Sequence, residues 1–350
     1  MTATNSTTKQ ASGDPLRMCV ALEMIGRFVD LSNYWTFSLA VNGFLSCFLV
    51  CFGFAGIAAL IRQLISKQPQ ITGRLASHLR MLCFWDCLML LTTLLSSAQS
   101  ALLNDGRVRF YGSIAYLIYF CHPLGNFSVT GTLWQVVSIS LDRYLAVAKP
   151  LQERQRNDVI SVRKICLIIV LMGAVLNLPS YVLEFRIEPC LFKTSNNGTP
   201  ERSVQIARTT VVGANYRLAV HFIPDLLFRC PVPFLIVVFL TSRTIYLTRK
   251  SVGRISRRAR YARRNAIVLT VLNIKFLLCN SLFMLNTALE WVQVRQKDFW
   301  HFFVFKTYLS DVSNIGLILH AATNWVLFYQ WNNRRCRQRT KARRNFRRAM

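Results

Sequence analysis

Seven long apolar stretches separated by polar connections constrain this chain more than any other feature. They fall at residues 34–61, 75–103, 113–145, 164–184, 217–247, 264–290 and 300–331, and each is long enough to cross the roughly 30 Å hydrocarbon core of a bilayer as a helix. A soluble two-domain protein, the first expectation for 350 residues, does not carry 53% hydrophobic and 17% charged residues in this arrangement. The expected fold is an all-α membrane protein: a seven-transmembrane helix bundle over residues 34–331, a polar segment at 1–33 and a basic tail at 332–350. Asp86 in the second stretch and Asp311, Asn314 and His320 in the seventh would be costly against lipid. A bundle turns such groups inward, while each helix satisfies its own backbone.

A net charge of +28 makes nucleic acid the first suspect in a soluble protein, but the position of the charge argues otherwise. The densest basic runs are "SRTIYLTRKSVGRISRRARYARRN", between stretches five and six, and "NNRRCRQRTKARRNFRR", after stretch seven. Loops on alternate sides thus differ in Lys and Arg, which places the basic loops and tail in the cytoplasm and the N-terminus outside. No nucleic-acid partner is expected, and the basic loops suit anionic membrane lipids. The sequons Asn5-Ser6-Thr7 and Asn197-Gly198-Thr199 fall on the expected outer face as glycosylation sites, whereas Asn126-Phe127-Ser128 lies inside stretch three. No secretory h-region precedes the first stretch, which then acts as its own targeting signal.

Most of the eleven cysteines lie within apolar stretches and read as small hydrophobes. Cys121, at the outer end of stretch three, and Cys190, in the following outer loop, are placed for a disulfide. Cys336, among arginines after stretch seven, is a candidate palmitoylation site.

Stretch three ends in "VSISLDRYLAVAKP". At a cytoplasmic helix end the long stem of Arg143 reaches the interface, Asp142 offsets its charge and Tyr144 follows. Such a pair can switch, because a partner that binds only an opened bundle shifts the population towards it.

With "LDRYLAVAKP", "LRMLCFWDCLMLL", "FLLCNSLFMLN" and "NWVLFYQW" in this order and at these helix ends, the chain resembles the rhodopsin-like (class A) G-protein-coupled receptors over nearly all seven helices. Within that family, "NLPSYVLEF", "PFLIVVFLTSRTI", Asn280 and "YLSDVSNIGLILHAATN" make it similar to invertebrate receptors for FMRFamide-like neuropeptides. The resemblance implies a plasma-membrane receptor that takes an extracellular peptide and signals through a heterotrimeric G protein. It implies no cofactor and no catalytic residues. A divergent seven-helix receptor for another ligand is the alternative.

Several positions depart from the family pattern. Phe54 stands for the first-helix Asn, Leu282 for the sixth-helix Pro, and Trp325 and Phe328 for the Pro and Tyr of the seventh-helix motif, which retains Asn324. Cys121 comes three residues later than the usual third-helix Cys, and no Trp marks the middle of the fourth helix. Without the two prolines, helices six and seven are expected to be straighter.

The family's sodium pocket would use Asp86, Thr132 and Asn324, yet Phe54, His320 and Ala321 beside them leave too few oxygen ligands. A polar cluster with water, or a contact between Asp86 and His320, is expected instead. Lys275 either snorkels to the inner interface or joins Asp86 and Asn324 and biases the resting state. Ala262 stands where many relatives carry an acid that holds the third-helix Arg. Asp142 is then the remaining partner for Arg143, and high resting activity is expected. Asp142, Arg143, Tyr144, Asp86, Lys275, Asn280 and Asn324 form the expected coupling and switch set.

Candidate ligand contacts in the outer half are Gln99, His122, Asn126, Tyr216, His221, Asp225, Glu290, Tyr308 and Asp311. A ligand ending in Arg-Phe-amide needs a carboxylate for its guanidinium, which Asp225, Glu290 or Asp311 would supply. Gly125 replaces the Asp of amine receptors and Ile318 the retinal Lys of opsins, so neither small amines nor retinal fits. A transporter would show internal repeats or Gly/Pro-broken helices in matching halves, and the sequence has neither. An enzyme is excluded by the lack of HExxH, GxSxG and Walker A patterns.

Overall fold

The computed structural model describes residues 31–65, 73–98, 111–149, 159–179, 185–192, 201–208, 225–229, 231–250, 257–293 and 305–329. They form seven helices and one hairpin. Helix α1 comprises Leu31–Ser38, a π segment Leu39–Leu45 and Ser46–Ile65. Helix α2 is Gly73–Thr93, extended by a π segment Leu94–Ala98. Helices α3 and α4 are Tyr111–Ala148 and Val159–Pro179. Helix α5 opens with a π segment Asp225–Arg229 and continues as Pro231–Lys250. Helix α6 is Arg257–Gln293, and α7 spans residues 305–329.

The surface is inverted relative to a soluble protein. Phe44, Phe48, Leu167, Ile168, Val175, Leu235, Phe239 and Leu278 point outward, while Ser128, Thr130, Thr132, Gln135, Ser313, His320 and Asn324 are buried among the helices. Lipid accepts the first set at no cost, and the bundle interior provides partners for the second. Among the described residues, Thr36–Ile65, Arg74–Ser96 and Leu227–Lys250 are long and apolar enough to cross a membrane by length and composition. Four of the polar residues that lower the hydropathy of α7 are buried: Asp311, Ser313, His320 and Asn324.

Helix α3 is the hub and packs against α2, α4, α5 and α6. Glycines set the closest joints. A Cβ on Gly131 of α3 would lie 2.4 Å from the Trp85 ring, and one on Gly56 of α1 would lie 1.9 Å from the Trp325 indole. Trp325, in place of the seventh-helix Pro, therefore fills a notch that only glycine leaves open, with Phe52 stacked 5.3 Å away. Trp85 meets Phe127 of α3 at 5.0 Å, and Phe127 rests against Gly173 of α4. An indole from α2 thus packs where α4 has no Trp of its own. Helix α6 contains neither Pro nor Gly and runs uninterrupted.

Two features differ from the sequence expectation. The loop between α4 and α5 contains an antiparallel hairpin, β1 Phe185–Phe192 with β2 Glu201–Arg208, in register from Phe185↔Arg208 to Phe192↔Glu201. Pro189 is tolerated there because a two-stranded ribbon leaves one edge of each strand unpaired. The fold is therefore helical apart from this ribbon, which packs against α3. Finally, Cys121 is a buried free thiol rather than half of a bridge to Cys190. The side chain of Cys190, like Asn5, Asn197 and Cys336, lies outside the described side chains.

Candidate functional site

Three polar groups occupy the bundle interior at successive levels. The central one is built around Asp86 of α2, a residue 1% exposed. Its carboxylate accepts a hydrogen bond from Asn324 Nδ2 of α7 at 2.9 Å. The Asn324 Oδ1 accepts from Lys275 Nζ of α6 at 2.5 Å. The same ammonium donates to the His320 carbonyl at 3.0 Å and to Thr323 Oγ1 at 3.1 Å. Lys275 does not snorkel to the interface; its three donors are spent on one turn of α7. The Asn324 amide relays between cation and carboxylate, the arrangement in which Lys275 joins Asp86 and Asn324. His320 instead lies beside Asn324 Nδ2, at 3.4 Å, and edge-on to Phe276 at 5.5 Å.

A sodium ion does not fit this cluster. The Lys275 ammonium already meets the charge of Asp86 through Asn324, and a second cation there would be repelled. Asp86 Oδ1 and Thr132 Oγ1 are buried without a protein partner. Two oxygens fall short of the shell a hard cation requires, and they suit a bridging water.

Towards the Arg143 end of α3, a second group joins α2, α3, α5 and α6. Asp142, 5% exposed, receives Arg74 Nη2 of α2 at 2.7 Å and Arg143 Nη2 at 3.6 Å. Deeper in the bundle, one turn on from Arg74 and about two turns back from Asp142, Gln135 Nε2 bonds His78 Nδ1 at 2.9 Å. Beside them Asn273 of α6 accepts from Ser140 Oγ of α3 at 3.1 Å and donates to Thr241 Oγ1 of α5 at 2.7 Å. Arg74, His78, Gln135, Ser140, Thr241 and Asn273 were not singled out from sequence. Gln135 and Asn273, full amides within apolar helices, were the available signals. Asn280 caps nothing across the bundle and bonds back to the Phe276 carbonyl at 2.8 Å, and Tyr144 is half-buried.

The hairpin end holds the third group. Asp311 of α7, 8% exposed, accepts from Tyr34 Oη of α1 at 3.2 Å, with Ser38 and Asn42 beside the same carboxylate. Tyr308 stacks on Tyr34 and Phe37 at 5.4 and 4.8 Å. His122 and Asn126 pair on α3 at 3.1 Å, so the candidate ligand residues fall into an α1–α7 corner and an α3 face. Asp225 and Glu290 are placed in α5 and α6 by backbone only, and Gln99, Tyr216 and His221 lie outside the described residues. Three π segments gather towards this end, in α1, α2 and α5, and those of α1 and α2 touch. The π segment of α5 is braced from two sides. Arg229 donates to Asn177 Oδ1 of α4 at 2.5 Å, and the Phe228 carbonyl accepts from Trp134 Nε1 of α3 at 2.9 Å. Wide turns of this kind recur at functional sites.

Comparison with known proteins adds one finding. The family described as the seven transmembrane receptor (rhodopsin family) matches residues 63–314, from the end of α1 to the first half of α7. No curated protein matches the chain.

Proposed function

The chain belongs to the rhodopsin family of seven-transmembrane receptors, and from this premise we propose that it is a plasma-membrane receptor for an extracellular neuropeptide of the FMRFamide-like class. Members of the family are multi-pass membrane receptors that signal through heterotrimeric G proteins. On this reading the hairpin end faces outward, Asn5 and Asn197 carry glycans, and the Arg143 end with the basic loops and Cys336 faces the cytoplasm.

The observation that carries the peptide reading is the hairpin Phe185–Arg208 packed on α3. It offers backbone groups and the Arg186–Glu188 pair to a ligand larger than an amine. Gly125 and the buried Ile318 leave small cationic ligands and retinal without their anchors. Ligand binding favours a bundle in which α6 parts from α3 and exposes Arg143. To move such an equilibrium from 1:99 to 99:1, the ligand must prefer the active state by about 10⁴-fold, which a peptide of several residues supplies.

The test is a panel of amidated neuropeptides on cells expressing the chain, read by calcium and cyclic AMP. A saturable response to peptides ending in Arg-Phe-amide, lost in Arg143→Ala, is expected. Responses confined to ligands of another class would refute the peptide reading while leaving the receptor reading in place.

A further inference from the structure

We infer that Arg74 is a positioning residue for G-protein engagement: by taking Asp142 to α2, it sets how firmly Arg143 is held. This rests on the receptor reading above. Asp142 and Arg143 are neighbours on α3, and consecutive helical residues point about 100° apart. The carboxylate therefore faces the adjoining helix rather than its own neighbour. On α2, Arg74 stands one residue into the helix, and its Nη2 reaches Asp142 Oδ1 at 2.7 Å. The two are a close ion pair, although Asp142 Oδ1 accepts no hydrogen bond in full geometry. The contact from Arg143 Nη2 to Asp142 Oδ2 is 3.6 Å, too long for a hydrogen bond and electrostatic only. The two guanidiniums thus share one carboxylate unequally, and the foreign one has the closer hold.

The surroundings make that inequality count. The side chains of Arg74, Asp142 and Arg143 are 11%, 5% and 13% exposed, so water screens little of the competition. The α2–α3 contact is the most extensive helix pairing in the bundle, locked higher up by Trp85 over Gly131. Arg74 is therefore presented by a rigid wall, not by a loop. His78, one turn further along α2, is buried and occupied with Gln135, so among the described residues the titratable and charged groups near Asp142 are Arg74, Arg143 and His78. Neutralising Arg74 would leave Asp142 with Arg143 as its close cation, tightening the hold on the residue that meets the G protein.

Full-length receptor in lipid nanodiscs is assayed for agonist-independent nucleotide exchange on purified heterotrimers, one from each Gα class. Arg74→Gln is expected to lower exchange by about fivefold, the low end of coupling between linked sites, and Arg74→Lys to restore part of it. Asp142→Asn is expected to raise exchange, and Arg74→Gln in that background to add nothing, since the carboxylate it worked through is gone. A purely structural role for Arg74 would lower folded yield equally in both backgrounds, which surface labelling reads separately. Wild-type exchange in Arg74→Gln, or an effect that persists beside Asp142→Asn, overturns the inference alone. If the wild-type receptor itself leaves exchange at the level of empty nanodiscs with every heterotrimer, the coupling reading falls and this inference with it.

Discussion

Replacing Lys275 by Met keeps an unbranched stem of similar length and removes the charge, which tests the central tie directly. The ammonium reaches Asp86 through one amide, 2.5 Å from Nζ to Asn324 Oδ1 and 2.9 Å from Nδ2 to the carboxylate. With the width of that amide between them, the two charges stand about 6–7 Å apart, and at an effective dielectric of about 20 their attraction is worth about 2.5 kcal/mol. The acceptors left on α7 without their donor add about 1 kcal/mol. The expected loss of about 3–4 kcal/mol sits at the low end for breaking a buried pair by removing one partner. Thermal unfolding of purified receptor in nanodiscs measures it for Lys275→Met, Asp86→Asn and the pair together. The double variant should recover about 2.5 kcal/mol relative to the sum of the singles, because neither charge is then left alone. Strict additivity would show that the two charges do not feel each other and would refute the reasoning. The same tie opposes separation of α6 from α7, so Lys275→Met should also raise agonist-independent signalling. Unaltered signalling at normal surface expression would count against a switching role.

Other expectations follow from the packing. Gly131→Leu places carbon inside the Trp85 ring and should abolish surface expression, whereas Gly125→Ala, whose Cβ would meet Thr92 Oγ1 at an ordinary 3.6 Å, should express as wild type. Asn273→Ala strands Ser140 and Thr241, so a loss of about 1–2 kcal/mol in thermal unfolding with raised resting exchange is expected. Among the three acids, Asp311 is held by Tyr34, and Asp311→Ala should lower stability about as much as Tyr34→Phe. If an acid anchors the peptide's guanidinium, Asp225→Ala or Glu290→Ala should lose agonist potency more than Asp311→Ala does, and equal potency in all three would remove the idea.

The fold was legible because hydrophobic length reports membrane crossing whatever the partners are. The seven stretches foretold seven helices, and Asp86, Asn324, Asp142 and Arg143 were found by their positions at helix middles and ends. What escaped was most of the pairing. One reading of Lys275 already joined it to Asp86 and Asn324, but Ser140 meets Asn273 across 133 residues, and one helix's sequence does not show which neighbour it turns towards. The fit of Trp325 into Gly56 is of this kind: each residue alone reads as a departure or a filler, and only together do they make a joint. The hairpin was missed because "FRIEPCLF" and "ERSVQIAR" show no long apolar alternation. A two-stranded ribbon lying on a helix end needs none. The π segments left no trace in composition, since one extra residue per turn depends on local packing.

The Asn273 amide is two-handed, and its grips are unequal. The shorter bond, 2.7 Å, goes to Thr241 of α5, and the longer, 3.1 Å, to Ser140 of α3; α6 also adjoins α5 along a broader strip than it adjoins α3. A seam of weak cohesion thus runs between α3 and α6, while α5 adjoins α3 more broadly than it adjoins α6. Were the bundle to crack, it would split along that line, the sixth rod swinging off while the fifth stays against the third, and the fissure would open on the flank where the arginine of the third is rooted.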